Sequence, residues 1–171
     1  MRARLVSLIG GSECTPEEAS LAEETGRRMA QAGFAVVCGG RGGVMEAACR
    51  GAWQVGGVTV GILPGEMGGE GNDYLTVELL TGLGEARNVL VVRAGEAVIA
   101  IGGGLGTLAE IAHALRLGKR VVALASWQAT SPDGASLPVL RVTTPAEAVA
   151  AVLERPSMRN GKDGAGEGHL A

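Results

Sequence analysis

The sequence predicts an α/β fold: a Rossmann-like, doubly wound, mostly parallel sheet of about seven strands with helices on both faces. Three observations predict it. Short apolar runs without polar alternation, such as Ala97-Val98-Ile99-Ala100-Ile101, recur along the chain and match strands buried on both faces. Between them lie segments whose apolar residues are spaced by three and four, the period of a helix. Glycine is also heavily used, at 29 of 171 residues against a usual share of ~7%, with clusters where a strand-like run gives way to a helical one.

The elements follow in order. Residues 5–9 form a first strand, ended by Gly10-Gly11-Ser12. Thr15-Pro16-Glu17-Glu18 then supplies an N-cap, a proline at the first helical position and a glutamate at N3. Ala19, Ala22, Gly26, Met29 and Ala30 continue that helix, and Gly33 stops it. A second strand covers 35–38, and a helical pattern on Val44, Ala47, Ala48, Gly51 and Val55 follows a glycine cluster. Residues 58–62 form a third strand, 63–73 a loop, and 75–80 a fourth strand. A helix over 85–94, closed by Gly95, leads to the strand at 97–101, a glycine turn and a helix over 107–117 stopped by Gly118. Strands at 120–125 and 139–142 come next, and Thr144-Pro145-Ala146-Glu147 caps a last helix. Residues 1–154 are thus expected to form one nucleotide-binding domain, with 155–171 as a flexible tail.

Composition narrows the partners. A net charge of −3 and a pI near 5.5 disfavour a nucleic-acid polymer or an anionic membrane, both of which require a concentrated basic face. No apolar run approaches the roughly 18 residues that cross a bilayer. Cys14, Cys38 and Cys49 contain no CxxC and would leave an odd thiol if paired, which points to a reducing compartment and hence the cytoplasm. His113 and His169 make no metal site by themselves, so no metal is expected.

Two glycine turns join a strand to a helix: Gly39-Gly40-Arg41-Gly42-Gly43 and Gly102-Gly103-Gly104-Leu105-Gly106-Thr107. Without Cβ atoms, such turns let a phosphate approach backbone N–H groups at the positive end of a helix. Gly102, Gly104 and Thr107 only approximate GxGxxG, and 121–125 lacks the acidic residue that would hold a ribose, so NAD is disfavoured. No GxxxxGK[ST] is present, which excludes a P-loop. Thr107 and Glu110 have capping-box spacing, as do Thr15/Glu18 and Thr144/Glu147. What sets the third pair apart is the glycine run before it. Its helix carries an apolar stripe on Leu108, Ile111, Ala112 and Leu115, with Ala114 and Leu117 near Glu110, which predicts packing on two faces and a cleft at Glu110.

Gly39-Gly40-Arg41-Gly42-Gly43-Val44-Met45 resembles the GGxxGxM turn, and Gly103-Gly104-Leu105-Gly106-Thr107-Leu108-Ala109-Glu110 resembles the PGGxGTxxE motif, of the Lonely Guy phosphoribohydrolases, formerly labelled possible lysine decarboxylases. Arg87 occupies the place of the family's motif arginine. The chain departs from that pattern with Gly102 for the motif proline, Asn88 for a lysine and Glu96 for an aspartate. The GGGxGTxxE turn with Arg-Asn upstream is also similar to molybdenum-cofactor carrier proteins of the same fold.

The first resemblance implies hydrolysis of the N-glycosidic bond of a cytokinin-like or purine nucleoside 5′-monophosphate, giving free base and ribose 5-phosphate. Glu110 would then stabilise the oxocarbenium-like state or orient water, and Arg87 would neutralise phosphate. Gly103, Gly104, Gly106 and Thr107 would bind phosphate, while Gly40, Gly42 and Gly43 shape the neighbouring wall. Arg41 faces either phosphate or solvent. A homodimer is implied as well. The second resemblance implies a carrier or sensor that binds its ligand without cleaving it. Neither Lys119 nor Lys162 is placed as a buried Schiff-base amine, so pyridoxal phosphate chemistry is disfavoured and no cofactor is expected.

Overall fold

A computed structural model describes residues 3–154; the expected tail lies outside the described residues. The strands are β1 (Arg4–Gly10), β2 (Phe34–Cys38), β3 (Thr59–Leu63), β4 (Val77–Leu80), β5 (Ala97–Ile101), β6 (Arg120–Leu124) and β7 (Leu140–Val142). The α-helices are α1 (Pro16–Gln31), α2 (Val44–Trp53), α3 (Asn88–Ala94), α4 (Leu105–Arg116) and α5 (Pro145–Leu153). All seven strands pair in parallel in the order β4-β3-β2-β1-β5-β6-β7. The chain winds outward from β1 in one direction, then returns and winds from β5 in the other. The order reverses between β1 and β5, and the crevice beyond their carboxyl ends is where ligands bind in sheets of this kind.

One core layer packs Val6, Leu8, Val36, Ile99 and Ile101 of the sheet against α1, α2 and α5. The other packs Ile9, Val37, Val98 and Val121 against Val91 and Val92 of α3 and Ile111 and Ala114 of α4. Small residues and aliphatic side chains fill both layers, consistent with an aromatic content of 2%. Among the described residues no helix is long and apolar enough to cross a membrane.

The structure shifts several expected boundaries. The helix expected over 85–94 is instead a 3₁₀ turn at Gly84–Arg87 running into α3. The fourth strand begins at Val77 because Thr59 and Thr76 exchange side-chain hydrogen bonds ahead of it. Gly95 follows α3 in extended backbone, and its missing Cβ makes room for the Ser7 amide and hydroxyl of β1. It is a close-approach glycine, not a left-handed helix stop. On α4 the buried residues are Thr107, Glu110, Ile111 and Ala114, whereas Ala112 and Leu117 of the expected apolar faces are exposed.

The two Pro-containing helix starts form complete capping boxes. The Thr15 hydroxyl accepts from the Glu18 amide and the Glu18 carboxylate accepts from the Thr15 amide; Thr144 and Glu147 repeat the arrangement. Thr15→Ala is therefore expected to cost about 1 kcal/mol, read as a lower urea midpoint at unchanged slope.

Candidate functional site

A cleft of about 230 Å³ opens at the β1/β5 divide. Its floor is the end of β1 with the Gly10-Gly11-Ser12 turn; Gly39 and Arg41 form one wall, and Gly104, Gly106 and Thr107 the other. Arg87, Asn88 and Glu85 close one side, and Glu110 lies between them and the second glycine turn. The expected residues Arg41, Arg87, Gly104, Gly106, Thr107 and Glu110 are thereby brought together around one space. Gly40, Gly42, Gly43 and Gly103 stand behind the walls. Gly43 is the N-cap of α2 at φ +63, packed so tightly on Gly11 that a side chain would collide with its carbonyl. Gly103, at φ +98, lies directly beneath the Thr107 side chain.

Thr107 and Glu110 do not form a capping box. The helix begins two residues earlier than expected, with Gly104 as its N-cap and no side-chain cap, so Thr107 sits inside the first turn. The amides of Leu105, Gly106 and Thr107 consequently have no intrahelical acceptor. α2 is likewise without a side-chain cap at Gly43. The two helices that start beside the cleft thus lack the side-chain caps present on α1 and α5; α2 carries Glu46 in its first turn, and α4 carries no acidic residue there. Their amino ends carry the partial positive charge that favours an anion. The second turn is pinned from β6: the Ser126 hydroxyl donates to the Gly102 carbonyl at 2.7 Å, and the Trp127 indole N–H donates to the Gly104 carbonyl at 2.9 Å.

Arg87 is only 7% exposed, yet among the described residues no carboxylate forms an ion pair with it. Its Nη1 donates to the Asn88 side-chain carbonyl at 2.5 Å, and its Nε is buried with no partner. Both Nη atoms crowd the space above Gly39 that a Cβ would fill, so only glycine there admits the guanidinium. Burial lowers the Arg87 pKa, opposed by the charges of Glu110 and Cys38; an arginine so placed remains a cation. Glu110 is 8% exposed, and burial raises its carboxyl to about 7, opposed by Arg87. The cleft therefore holds a buried fork seeking an acceptor beside a carboxyl that changes charge near neutral pH.

A second chamber of about 240 Å³ adjoins the first through Glu85, Asn88, Gly106 and Glu110. Ala86, Val89, Ala109 and His113 give it a more apolar lining. Glu110 lines both spaces, together with Glu85 and Asn88 of its own chain. The sequence reading omitted Gly10, Gly11, Ser12, Glu85 and Asn88 as site residues. The first three were visible as a turn, but only the strand order shows that β1 borders the divide.

Glu110 makes the stability and the anion affinity depend on pH in a defined direction. Its folded pKa lies above the ordinary carboxylate range, so between about 4.5 and 7 the folded state binds more protons than the unfolded one, and stability falls as pH rises through that window. Glu110→Gln is expected to raise stability by about 1–3 kcal/mol at pH 8 and by little at pH 4.5. Wild type is expected to lose sulfate affinity above neutral pH, where the Glu110 carboxylate competes for Arg87, and the same variant should flatten that loss. Urea titrations and sulfate competition at several pH values check both.

A family model described as the SLOG cluster4 family matches residues 3–149. A protein of Archaeoglobus fulgidus, described as uncharacterized, is 42% identical over 124 residues, which is 72% of this chain and 82% of that one. Among solved structures, the chain is similar to the molybdenum cofactor binding protein of the phototrophic bacterium Rippkaea orientalis, with a TM-score of 0.80 and 32% identity over 89% of this chain and 96% of that one. It is also similar to the molybdenum cofactor carrier protein of Chlamydomonas reinhardtii, with a TM-score of 0.75 and 31% identity over 88% and 96% of the respective chains.

Proposed function

The chain belongs to the SLOG cluster4 family, and from that premise we propose that it is a carrier which binds an anionic, phosphate-bearing heterocycle, the molybdenum cofactor, and releases it unchanged. The observation that carries this reading is Arg87: a buried guanidinium with an unpartnered Nε and a fork held by the neutral Asn88 amide, beside helix starts without side-chain caps. In this reading the amides of Gly104, Gly106 and Thr107 and the Thr107 hydroxyl receive the phosphate. Arg87 balances its charge, and the more apolar chamber takes the ring system. The likeness to the two molybdenum-cofactor proteins supports the cargo.

Glu110 favours a second reading, the nucleoside-monophosphate hydrolase of the Lonely Guy type. A carboxyl with a pKa near neutrality beside an arginine can stabilise a developing oxocarbenium ion or hold water. The two readings separate in one assay. The chain is incubated with molybdenum cofactor and, separately, with several nucleoside 5′-monophosphates, and bound ligand and free base are both quantified. Cofactor bound and recovered intact, with no base released, supports the carrier; base release lost in Glu110→Gln supports the hydrolase. A homodimer belongs to the same proposal, because Ala109 and His113 on the outer wall of the apolar chamber are exposed in one chain. Analytical ultracentrifugation at micromolar concentration is expected to give twice the chain mass.

A further inference from the structure

Three sulfur-bearing residues cluster behind the cleft. Cys38 ends β2, Cys49 lies on α2, and Met45 sits one helical turn before Cys49; the three form a small buried cluster beneath Tyr74 and Leu75. The Cys38 and Cys49 sulfurs are 3.5 Å apart and both residues are fully buried. Met45 also lines the cleft, and its thioether reaches the same point above Gly39 as the Arg87 guanidinium. Met45 thus lies between the ligand cleft and the two buried thiols, and the anion site makes no use of those thiols.

We propose that Cys38, Cys49 and Met45 form a buried site for one soft monovalent cation, Cu(I). Thiolate and thioether donors select Cu(I), whereas zinc ordinarily takes four ligands from cysteine, histidine or carboxylate. No three His, Cys, Asp or Glu side chains cluster as a metal site among the described residues, so a harder cation finds no comparable donor set. Binding replaces two S–H bonds with two S–Cu bonds and releases two protons to solvent, with no change in oxidation state. The Gly40 amide donates to the Cys38 sulfur at 3.3 Å, a contact that favours negative charge on that sulfur. Two thiolates and one Cu(I) carry a net charge of −1, opposite in sign to Arg87 beside them.

The test is an anaerobic titration of the full chain with Cu(I) against a calibrated Cu(I) chelator. Binding is read from thiolate-to-copper absorption in the ultraviolet and from copper retained after gel filtration. The expected result is one Cu(I) per chain with sulfur-only coordination by X-ray absorption, affinity lowered roughly tenfold or more in Cys38→Ser and Cys49→Ser, and no change in Cys14→Ser. Serine at a fully buried thiol can impair folding, so Met45→Leu provides a nearly volume-conserving arm. It should weaken copper binding while the circular dichroism and urea midpoint stay close to wild type. The inference is overturned if reduced wild type leaves copper with the chelator, if Cys38→Ser retains it equally, or if Cys14→Ser is the variant that loses it. It is also overturned if Cys38 and Cys49 form a disulfide in air and the reduced pair takes up no copper.

Discussion

Arg87→Ala is expected to weaken binding of the phosphate-bearing ligand by roughly 10- to 100-fold, the range set by losing hydrogen bonds to a charged group worth about 1.5–3 kcal/mol. The side chain supplies the cleft's buried cation, and its Nε has no protein acceptor to lose. Removing it also leaves the Glu110 carboxyl without the charge that opposes burial, so the Glu110 pKa should rise further above 7. Arg87→Lys separates charge from geometry. A lysine restores a point charge but not the planar fork, and should recover only part of the lost affinity. Equal affinity in wild type and Arg87→Ala, measured by isothermal titration on protein with native circular dichroism, would show that phosphate binds elsewhere.

Gly51→Leu is expected to destabilise the fold by about 3 kcal/mol or more, and Gly51→Ala by about 1–3 kcal/mol. In an exposed helix, glycine to alanine normally stabilises by roughly 0.5–1 kcal/mol, so the sign itself is diagnostic. The reason lies in how α1 crosses α2. A Cβ on Gly51 would strike the Glu23 carbonyl, and a Cβ on Gly26 would strike the Ala48 carbonyl, so each helix presents a glycine to the other's backbone. Across the same junction the Glu23 carboxylate accepts two bonds from Arg50, at 2.8 and 2.9 Å. Separating the helices would move α2, and with it Gly43, Met45 and one wall of the cleft. A urea midpoint for Gly51→Ala at or above wild type would mean that the helices can part without cost.

Much of this architecture was legible because its signals are local. Thr15-Pro16 and Thr144-Pro145 announce their helices by cap chemistry, and both capping boxes form. The run 97–101 marks a strand buried on both faces through unbroken apolarity, and every residue of β5 is buried. What escaped the sequence depends on partners distant in the chain. The spacing of Thr107 and Glu110 matches a cap, but Gly104 takes that position, in a turn whose Gly102 and Gly104 carbonyls accept from Ser126 and Trp127 in the segment after β6. The two apolar faces of α4 suggested burial on both sides, yet each is covered only in part: Ile111 and Ala114 are buried, whereas Ala112 and Leu117 at their margins are exposed. Gly26 and Gly51 could be seen on helices, but their use as a crossing point follows only from which helices touch. At the site, Arg87 and Glu110 could be named from the motif resemblance. That Asn88 would occupy the arginine's fork, or that Cys38 and Cys49 would meet beneath it, could not.

The cleft at the β1/β5 divide is proposed to hold a phosphate-bearing cofactor without cutting it. This is tested most directly by equilibrium titration of the chain with purified molybdenum cofactor, followed by chemical analysis of what is recovered. The expected result is saturation at one cofactor per chain and recovery of the cofactor intact, with affinity falling in Arg87→Ala. Absence of saturable binding, or turnover of a nucleoside 5′-monophosphate that depends on Glu110, would contradict it.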